Sequence, residues 1–320
     1  MHIDDFAWTY YTFCRKGTKK NGFVQIVSRN LLFCRQNLHI SNKNTTFANV
    51  KEQINYIISQ LQGFYPREEL HELAYWIIEE TVGLTRTQLF TQSHSKIDIP
   101  NLPQILERLE NHEPIQYIFG HTQWMGLDLQ VNAATLIPRP ETAELVEWII
   151  ANSDTSAPLQ VLDIGTGSGC IAIALKKRCP AWQIKGVDVS DEALVVAKAN
   201  AKRNGVQIEW KKMDILSQKP DTVDIIVSNP PYICHKEKAT MDSRVLDYEP
   251  HNALFVPDDD PLLFYRRIAS MKSSNVLYFE INEAYGNQVC NMMNELGYKD
   301  VQIKNDIYGK ARMVFGRIKA

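Results

Sequence analysis

The stretch VLDIGTGSGC, Val161–Cys170, decides the fold. An apolar run ends on three glycines at alternate positions, and apolar residues resume at helical spacing from Ile171. Glycine reaches backbone conformations closed to other residues. Gly165, Gly167 and Gly169 therefore mark a sharp turn from strand into helix, one that lets backbone approach a ligand closely. Working outward, the same order repeats. LQVLDI (159–164) reads as a strand, 169–178 as a helix, QIKGVDV (183–189) as a strand and 190–203 as a helix. VQIEWKKM (206–213) and VDIIVSN (223–229) follow as strands, PLLFYRRIASM (261–271) as a helix, NVLYFEI (275–281) as a strand and 284–296 as a helix. The segment 301–318 reads as two strands around Tyr308 and Gly309. This alternation predicts an α/β fold, a doubly wound and mostly parallel sheet covered on both faces and ending in an antiparallel hairpin.

The chain before this unit has a different period. Ile54, Ile57, Ile58 and Leu61 fall at i, i+3, i+4 and i+7, and Leu70, Leu73, Ala74, Ile77 and Ile78 repeat the stripe. Pro66, Glu68 and Glu69 suit a helix start, and Gly83 suits its stop. Residues 47–113 are thus expected to form a small helical domain that docks a substrate. IQYIFGHTQWMGLDLQV (115–131) alternates and carries Gly120 and Gly126, which predicts a hairpin linker over 114–130, with the sheet domain filling 131–320. Residues 1–46 hold seven Lys or Arg against two Asp, a net +5, and are expected to form a poorly ordered basic extension.

Bulk composition narrows the function. The 320 residues are 44% apolar and 22% charged with a net charge of −2, a globular balance without the basic field that duplex nucleic acid attracts. No apolar run is long enough to span a membrane. The six cysteines form no C-x-x-C pair and read as reduced thiols of a cytoplasmic protein, and the scattered histidines argue against a metal site.

Asp188 closes the second strand of the α/β unit, 19 residues after Gly169. A carboxylate there can accept both hydroxyls of a ribose. The Gly-x-Gly-x-Gly spacing differs from the G-x-G-x-x-G pyrophosphate fingerprint, and no lysine follows as in a P-loop. S-adenosylmethionine suits this pattern, because it has no phosphate to cradle. Asp214 and Ile215 in KMDIL would then serve the adenine, one accepting from its amine and one covering a ring face. A plain N-cap is the competing reading of Asp214.

A second motif is VSNPPYI, Val227–Ile233. Pro230 and Pro231 end the strand, since proline cannot donate to a sheet ladder, and the residue before a proline is held extended. Asn229 therefore sits at a stiff strand tip.

VLDIGTGSGC, VDVS, SNPPYI and LIPRPETAELVEW, with VLDYEPHNALF, FYRRI and DIYGKARMVFGR, together resemble the HemK/PrmC family, the peptide chain release factor N5-glutamine methyltransferases. The resemblance runs from about residue 50 to the C-terminus. Asn-Pro-Pro-Tyr alone is shared with adenine and guanine amino-methyltransferases, whereas Pro140-Glu141-Thr142 favours the release-factor branch. Ala143 stands where a larger apolar residue is expected, and VPDDDPLLFY (256–265) is more acidic than the pattern. The resemblance implies the class I methyltransferase fold, seven strands with an N-terminal helical domain. It implies that Gly165, Thr166, Gly167, Ser168, Gly169, Asp188, Asp214, Ile215 and Asn229 line S-adenosylmethionine and its product S-adenosylhomocysteine. It implies that Asn229, Pro230, Pro231 and Tyr232 hold the glutamine of a Gly-Gly-Gln loop in a release factor.

An amide nitrogen is a weak nucleophile because its lone pair is delocalised. The Asn229 oxygen and the Pro230 carbonyl can each accept one N–H of the substrate amide and turn the nitrogen toward a methyl donor. Orientation of this kind supplies up to roughly 7–11 kcal/mol of barrier reduction. Tyr232 is expected to pack on the flat amide; Arg139 and Glu141 shape the site entrance or close over the cofactor, with a structural ion pair as the competing reading. Two other functions fit less well: amino-methyl transfer to a flipped nucleic-acid base, for which the charge is too balanced, and non-enzymatic cofactor binding, for which an intact Asn-Pro-Pro-Tyr is not required.

Overall fold

The computed structural model describes residues 48–318, so the basic extension expected over 1–46 lies outside the described residues. The chain divides into two compact units, one ending at Ile118 and one running on from Phe119.

The first unit is helical: α1 (Val50–Leu61), α2 (Arg67–Val82), α3 (Arg86–Thr91), α4 (Leu102–Glu110) and the short α5 (Ile115–Phe119) at its end. Asn49 starts α1 with a capping box, its side chain accepting from Glu52 N–H while Glu52 accepts from Asn49 N–H. Gly83 ends α2 in the left-handed conformation at φ 74°. Ile57, Leu61, Leu73, Ala74, Ile77, Ile78 and Leu109 are buried, each large aliphatic contributing roughly 1.5–3 kcal/mol. The Tyr65 hydroxyl donates to Leu109 O at 2.9 Å, tying the first interhelical turn to α4.

Residues 115–119 correct the hairpin expected over 115–131. Tyr117 and Ile118 N–H both donate to Pro114 O, a helical turn, and the hairpin is only β1 (His121–Trp124) against β2 (Leu127–Gln130). Ile115, Tyr117 and Ile118 satisfy period 2 and period 3.6 equally, and Pro114 decides for the helix by starting it.

After β2 come α6 (Pro140–Ala151), β3 (Gln160–Ile164), α7 (Cys170–Arg178), β4 (Gln183–Asp188), α8 (Asp191–Arg203), β5 (Glu209–Lys212), β6 (Val223–Ser228), a small pair β7 (Ile233–Cys234) and β8 (Phe255–Val256) flanking α9 (Ser243–Tyr248), α10 (Leu263–Ser270), β9 (Ser274–Glu280), α11 (Gly286–Glu295), β10 (Lys299–Asn305) and β11 (Ala311–Arg317). The seven-stranded sheet runs β10-β11-β9-β6-β3-β4-β5. Its first four strands in sequence and β9 are parallel, while β11 pairs antiparallel with β9 and β10 antiparallel with β11. This is the doubly wound sheet with its terminal hairpin. Alternate side chains face opposite layers: Val161, Ile225 and Val227 pack with α6 and α7, and Leu162, Ile164 and Ile226 pack with α10 and α11.

Chain order reverses between β3 and β6, the topological switch point of the sheet, where open α/β sheets bind ligands beyond the carboxyl ends of the strands. Register aligns those ends: Ile164 pairs with both Val187 and Ser228, Asp188 with Lys212, and Ser228 with Phe279. No helix among the described residues is long and apolar enough to cross a membrane.

Candidate active site

The glycine turn leaves β3 with Gly165, Gly167 and Gly169 at φ 69°, 54° and 82°, a region costly for other residues. Gly165 and Thr166 N–H both donate to Val187 O, at 2.9 and 3.0 Å, folding the turn toward β4. A methyl group added at Gly165 or Gly167 would meet nothing within 4 Å, so the outer face of the turn is open. At Gly169 it would lie 3.0 Å from the Trp210 ring. Helix α7 begins behind this turn.

Asp188, at the tip of β4, accepts from Gly167 N–H (2.9 Å) and Ser190 N–H (3.0 Å), one bond to each oxygen. Burial raises its pKa, and these backbone donors partly offset that. Each oxygen keeps a further lone-pair site, the capacity a ribose diol requires. Beneath the turn, Asp163 is fully buried and accepts the Thr166 hydroxyl at 2.6 Å. Burial pushes its pKa up to about 7, against the Thr166 and Ala172 hydrogen bonds, which lower it.

Met213 N–H donates to Asp188 O at 2.8 Å, bringing the end of β5 beside Asp188. Ile215 is buried there, while Val189 and Leu216 are half-exposed apolar residues following the two strand ends. Asp214 takes Leu216 N–H at 3.0 Å and the Ser217 hydroxyl at 2.9 Å, so it caps its own turn.

Asn229 leaves β6 one residue beyond Ser228, next to the glycine turn in register. Ser228 Oγ locks that alignment by donating to Ile164 O at 2.7 Å. The Asn229 Nδ2 faces Thr142 Oγ at 3.4 Å, and the Thr142 hydroxyl donates to Glu280 Oε2 at 2.6 Å. The Tyr232 hydroxyl reaches the other oxygen, Glu280 Oε1, at 3.3 Å, and its backbone carbonyl accepts from Asn282 Nδ2 at 3.2 Å. Pro230 is buried and Pro231 half-buried. Arg139 forms an ion pair with the buried Glu249 at 2.6 Å, a partner not expected from the sequence, and Glu249 also accepts Ile137 N–H at 3.2 Å.

The site thus brings together the glycine turn, Asp188, Ile215 and the Asn229–Tyr232 segment along one edge of the sheet. Three contributors were not expected in the site from the sequence, although Thr142 belongs to the Pro140-Glu141-Thr142 segment. Thr142 lies on α6, 87 residues before Asn229; Glu280 is a lone acid closing the apolar β9; and Asn200 on α8 holds Ser168 O and both backbone groups of Gln130. The signal for Glu280 was present, because a buried carboxylate ending an apolar strand needs partners.

Comparison with known proteins places this geometry. The PrmC N-terminal domain matches residues 52–120 and the methyltransferase small domain matches 143–247. The release factor glutamine methyltransferase of Flavobacterium psychrophilum is 42% identical over 278 residues, 83% of this chain and 98% of its own length. The chain belongs to the release factor glutamine methyltransferase family. A second member, from Bacteroides thetaiotaomicron, is 42% identical over 81% of this chain and 96% of its own. Family membership accounts for the helical unit and the α/β unit in one chain. The hMettl16 catalytic domain shares the methyltransferase fold at 16% identity and a TM-score of 0.50, over 70% of this chain and 95% of that one.

Proposed function

We propose that this chain transfers a methyl group from S-adenosylmethionine to the side-chain amide nitrogen of the glutamine in the Gly-Gly-Gln motif of peptide chain release factors, in the cytoplasm. The observation that carries this reading is the placement of Asn229 at the end of β6, in register beside the open glycine turn of β3. The name shared by relatives covering nearly their whole length supports glutamine as the acceptor.

The residues present fit the cofactor. The open face at Gly165 and Gly167 admits the methionine tail, Asp188 has acceptor capacity for the ribose, and Ile215 with Val189 and Leu216 offers apolar cover for adenine. Thr166 and Ser168 shape the turn from within. Asp214 holds its own turn and so positions Ile215. When bound, the cofactor supplies an electrophilic methyl sulfonium. The protein's own part is to hold the acceptor: Asn229 Oδ1 and the Pro230 carbonyl take the two N–H groups of the glutamine amide, while Pro231 and Tyr232 wall the pocket. Binding both hydrogens favours the less planar nitrogen of the transition state, and no strong base is needed because the methylated nitrogen is acidic. The helical unit is the module that grips the release factor. It presents Phe90, 65% exposed, beside the Tyr75 ring at 5.9 Å, on which Arg86 also stacks.

The test is incubation of the full chain with S-adenosylmethionine and purified release factor, followed by mass spectrometry of the Gly-Gly-Gln peptide. One added methyl on the glutamine is expected; an unmodified glutamine would overturn the reading.

A further inference from the structure

A primary carboxamide has two unlike ends. The Asn229 side chain offers an acceptor oxygen and a donor NH₂, and only the oxygen can hold an N–H of the reacting amide. From the geometry around it we infer that Thr142 and Glu280 are positioning residues that fix which end Asn229 turns toward the substrate. The inference rests on the methyl-transfer reading of the site.

The chain of bonds leaves little choice. The Thr142 hydroxyl has one proton, and at 2.6 Å that proton goes to Glu280 Oε2. What Thr142 Oγ then shows to Asn229 is lone pairs, so Asn229 must meet it with NH₂, here at 3.4 Å. Asn229 Oδ1 is thereby directed elsewhere. Thr142 and Glu280 are 2% and 1% exposed, so bulk water does not compete for either group. The Tyr232 hydroxyl takes the second carboxylate oxygen, which links the amide-packing ring of the pocket to the same carboxylate.

The direction of the relay depends on Glu280 acting as acceptor. A proton on Glu280 Oε2 would be donated to Thr142 Oγ. The Thr142 proton would then turn to Asn229, and the amide would rotate to present NH₂ to a substrate that also offers N–H. The groups facing Glu280 are Arg312 on β11, Glu141 on α6, Tyr232, Tyr265 on α10 and Cys170 at the start of α7. Arg312, 2% exposed and bonded to Asp306 at 3.2 Å, favours the carboxylate. Burial and Glu141 oppose it and raise the Glu280 pKa. Tyr265 donates to the Glu280 backbone carbonyl at 3.2 Å, holding the end of β9 in place.

The experiment uses the full chain with labelled S-adenosylmethionine and purified release factor, measuring kcat, both KM values and cofactor affinity by calorimetry. Thr142→Val keeps the shape and removes the hydroxyl. It should lower kcat roughly 10- to 100-fold at unchanged cofactor affinity, the effect of losing one orienting hydrogen bond, and Thr142→Ser should restore most of the loss. Glu280→Gln cannot take up a proton, so the kcat it retains should hold at low pH where the wild type declines. A wild-type rate in Thr142→Val, a Thr142→Ser variant as slow as Thr142→Val, or a loss that follows cofactor affinity would each overturn the relay. If Thr142→Val does not fold, an acid limb in Glu280→Gln identical to the wild type would overturn it as well. Absence of glutamine methylation by the wild type would sink the activity itself, an outcome separate from these.

Discussion

Gly186 lies in the middle of β4, between Asp163 on β3 and Trp210 on β5. A methyl group there would fall 2.3 Å from Trp210 Cζ3, 2.5 Å from Cε3 and 3.1 Å from Thr166 Oγ. Unstrained carbon contacts are about 3.5–4.0 Å, so the indole must move by more than an ångström. The same ring lies 3.0 Å from where a Gly169 Cβ would be, so it cannot leave Gly186 without uncovering the base of the glycine turn. Forcing an extra methyl into such packing costs about 1–3 kcal/mol, and alanine recovers about 0.4–1 kcal/mol by restricting the unfolded chain. Gly186→Ala should therefore destabilise the protein by about 1–2 kcal/mol net, and cofactor affinity should fall with it. The assay is urea unfolding followed by circular dichroism, repeated in a Trp210→Leu background, with a cofactor titration on each protein. In that background the alanine should cost much less, because the two shortest contacts are to one ring and only the 3.1 Å contact with Thr166 Oγ remains. An equal cost in both backgrounds, or no cost in the first, would refute the reasoning.

Asn229→Ala should keep cofactor affinity and lose turnover by about 10²–10³-fold, as for removal of one preorganised polar group; loss of affinity with normal turnover at saturation would contradict its role. Asp188→Ala should weaken cofactor binding by roughly 10- to 100-fold in calorimetry, since it deletes a charged acceptor. Asp163 titrates near 3.8 when exposed and about 7 in the folded chain, so the folded state binds more protons between those values. Its contribution to stability is therefore full below about pH 4 and is lost as the pH rises toward 7. Asp163→Asn should flatten the decline in urea midpoint across that window; an unchanged slope would show that Asp163 is not its source.

The α/β unit was readable because its signals agree. Apolar strands end on glycine or acid, Ser190 caps α8 by accepting from Ala193 N–H at 3.1 Å, and the structured bounds fall within a residue or two of the pattern for β3, α7, β4, α8 and β6. Agreement failed where two periods fit one run, as at 115–119, and where a strand is shorter than its apolar pattern, as in 206–213, of which only Glu209–Lys212 pairs. The small β7–β8 pair joins positions separated by the segment that carries α9, and no local rule foretells it. In the site, the glycine turn, Asp188 and Asn229 stand out because each sits at a strand end with its own punctuation. Thr142, though it lies in Pro140-Glu141-Thr142, and Glu280 give no sign of their joint role, which arises from a hydrogen bond spanning 138 residues. A threonine in the first turn of a helix and one acid in an apolar strand are common features until they touch.

The alignment of Ile164 with Ser228 sets more than a neighbour list. Side chains alternate along a strand, so a single inserted or deleted residue within Val223–Ser228 would carry Asn229 away from Thr142 on α6 and toward the opposite layer of α10 and α11. Such a chain would bury much the same apolar surface and keep the glycine turn and Asp188 in place, yet lose the placement of Asn229 on which the proposed transfer rests. On the proposed reading, catalytic competence is a matter of phase between two strands, and reading-frame-preserving indels in β6 would separate being folded from being able to work.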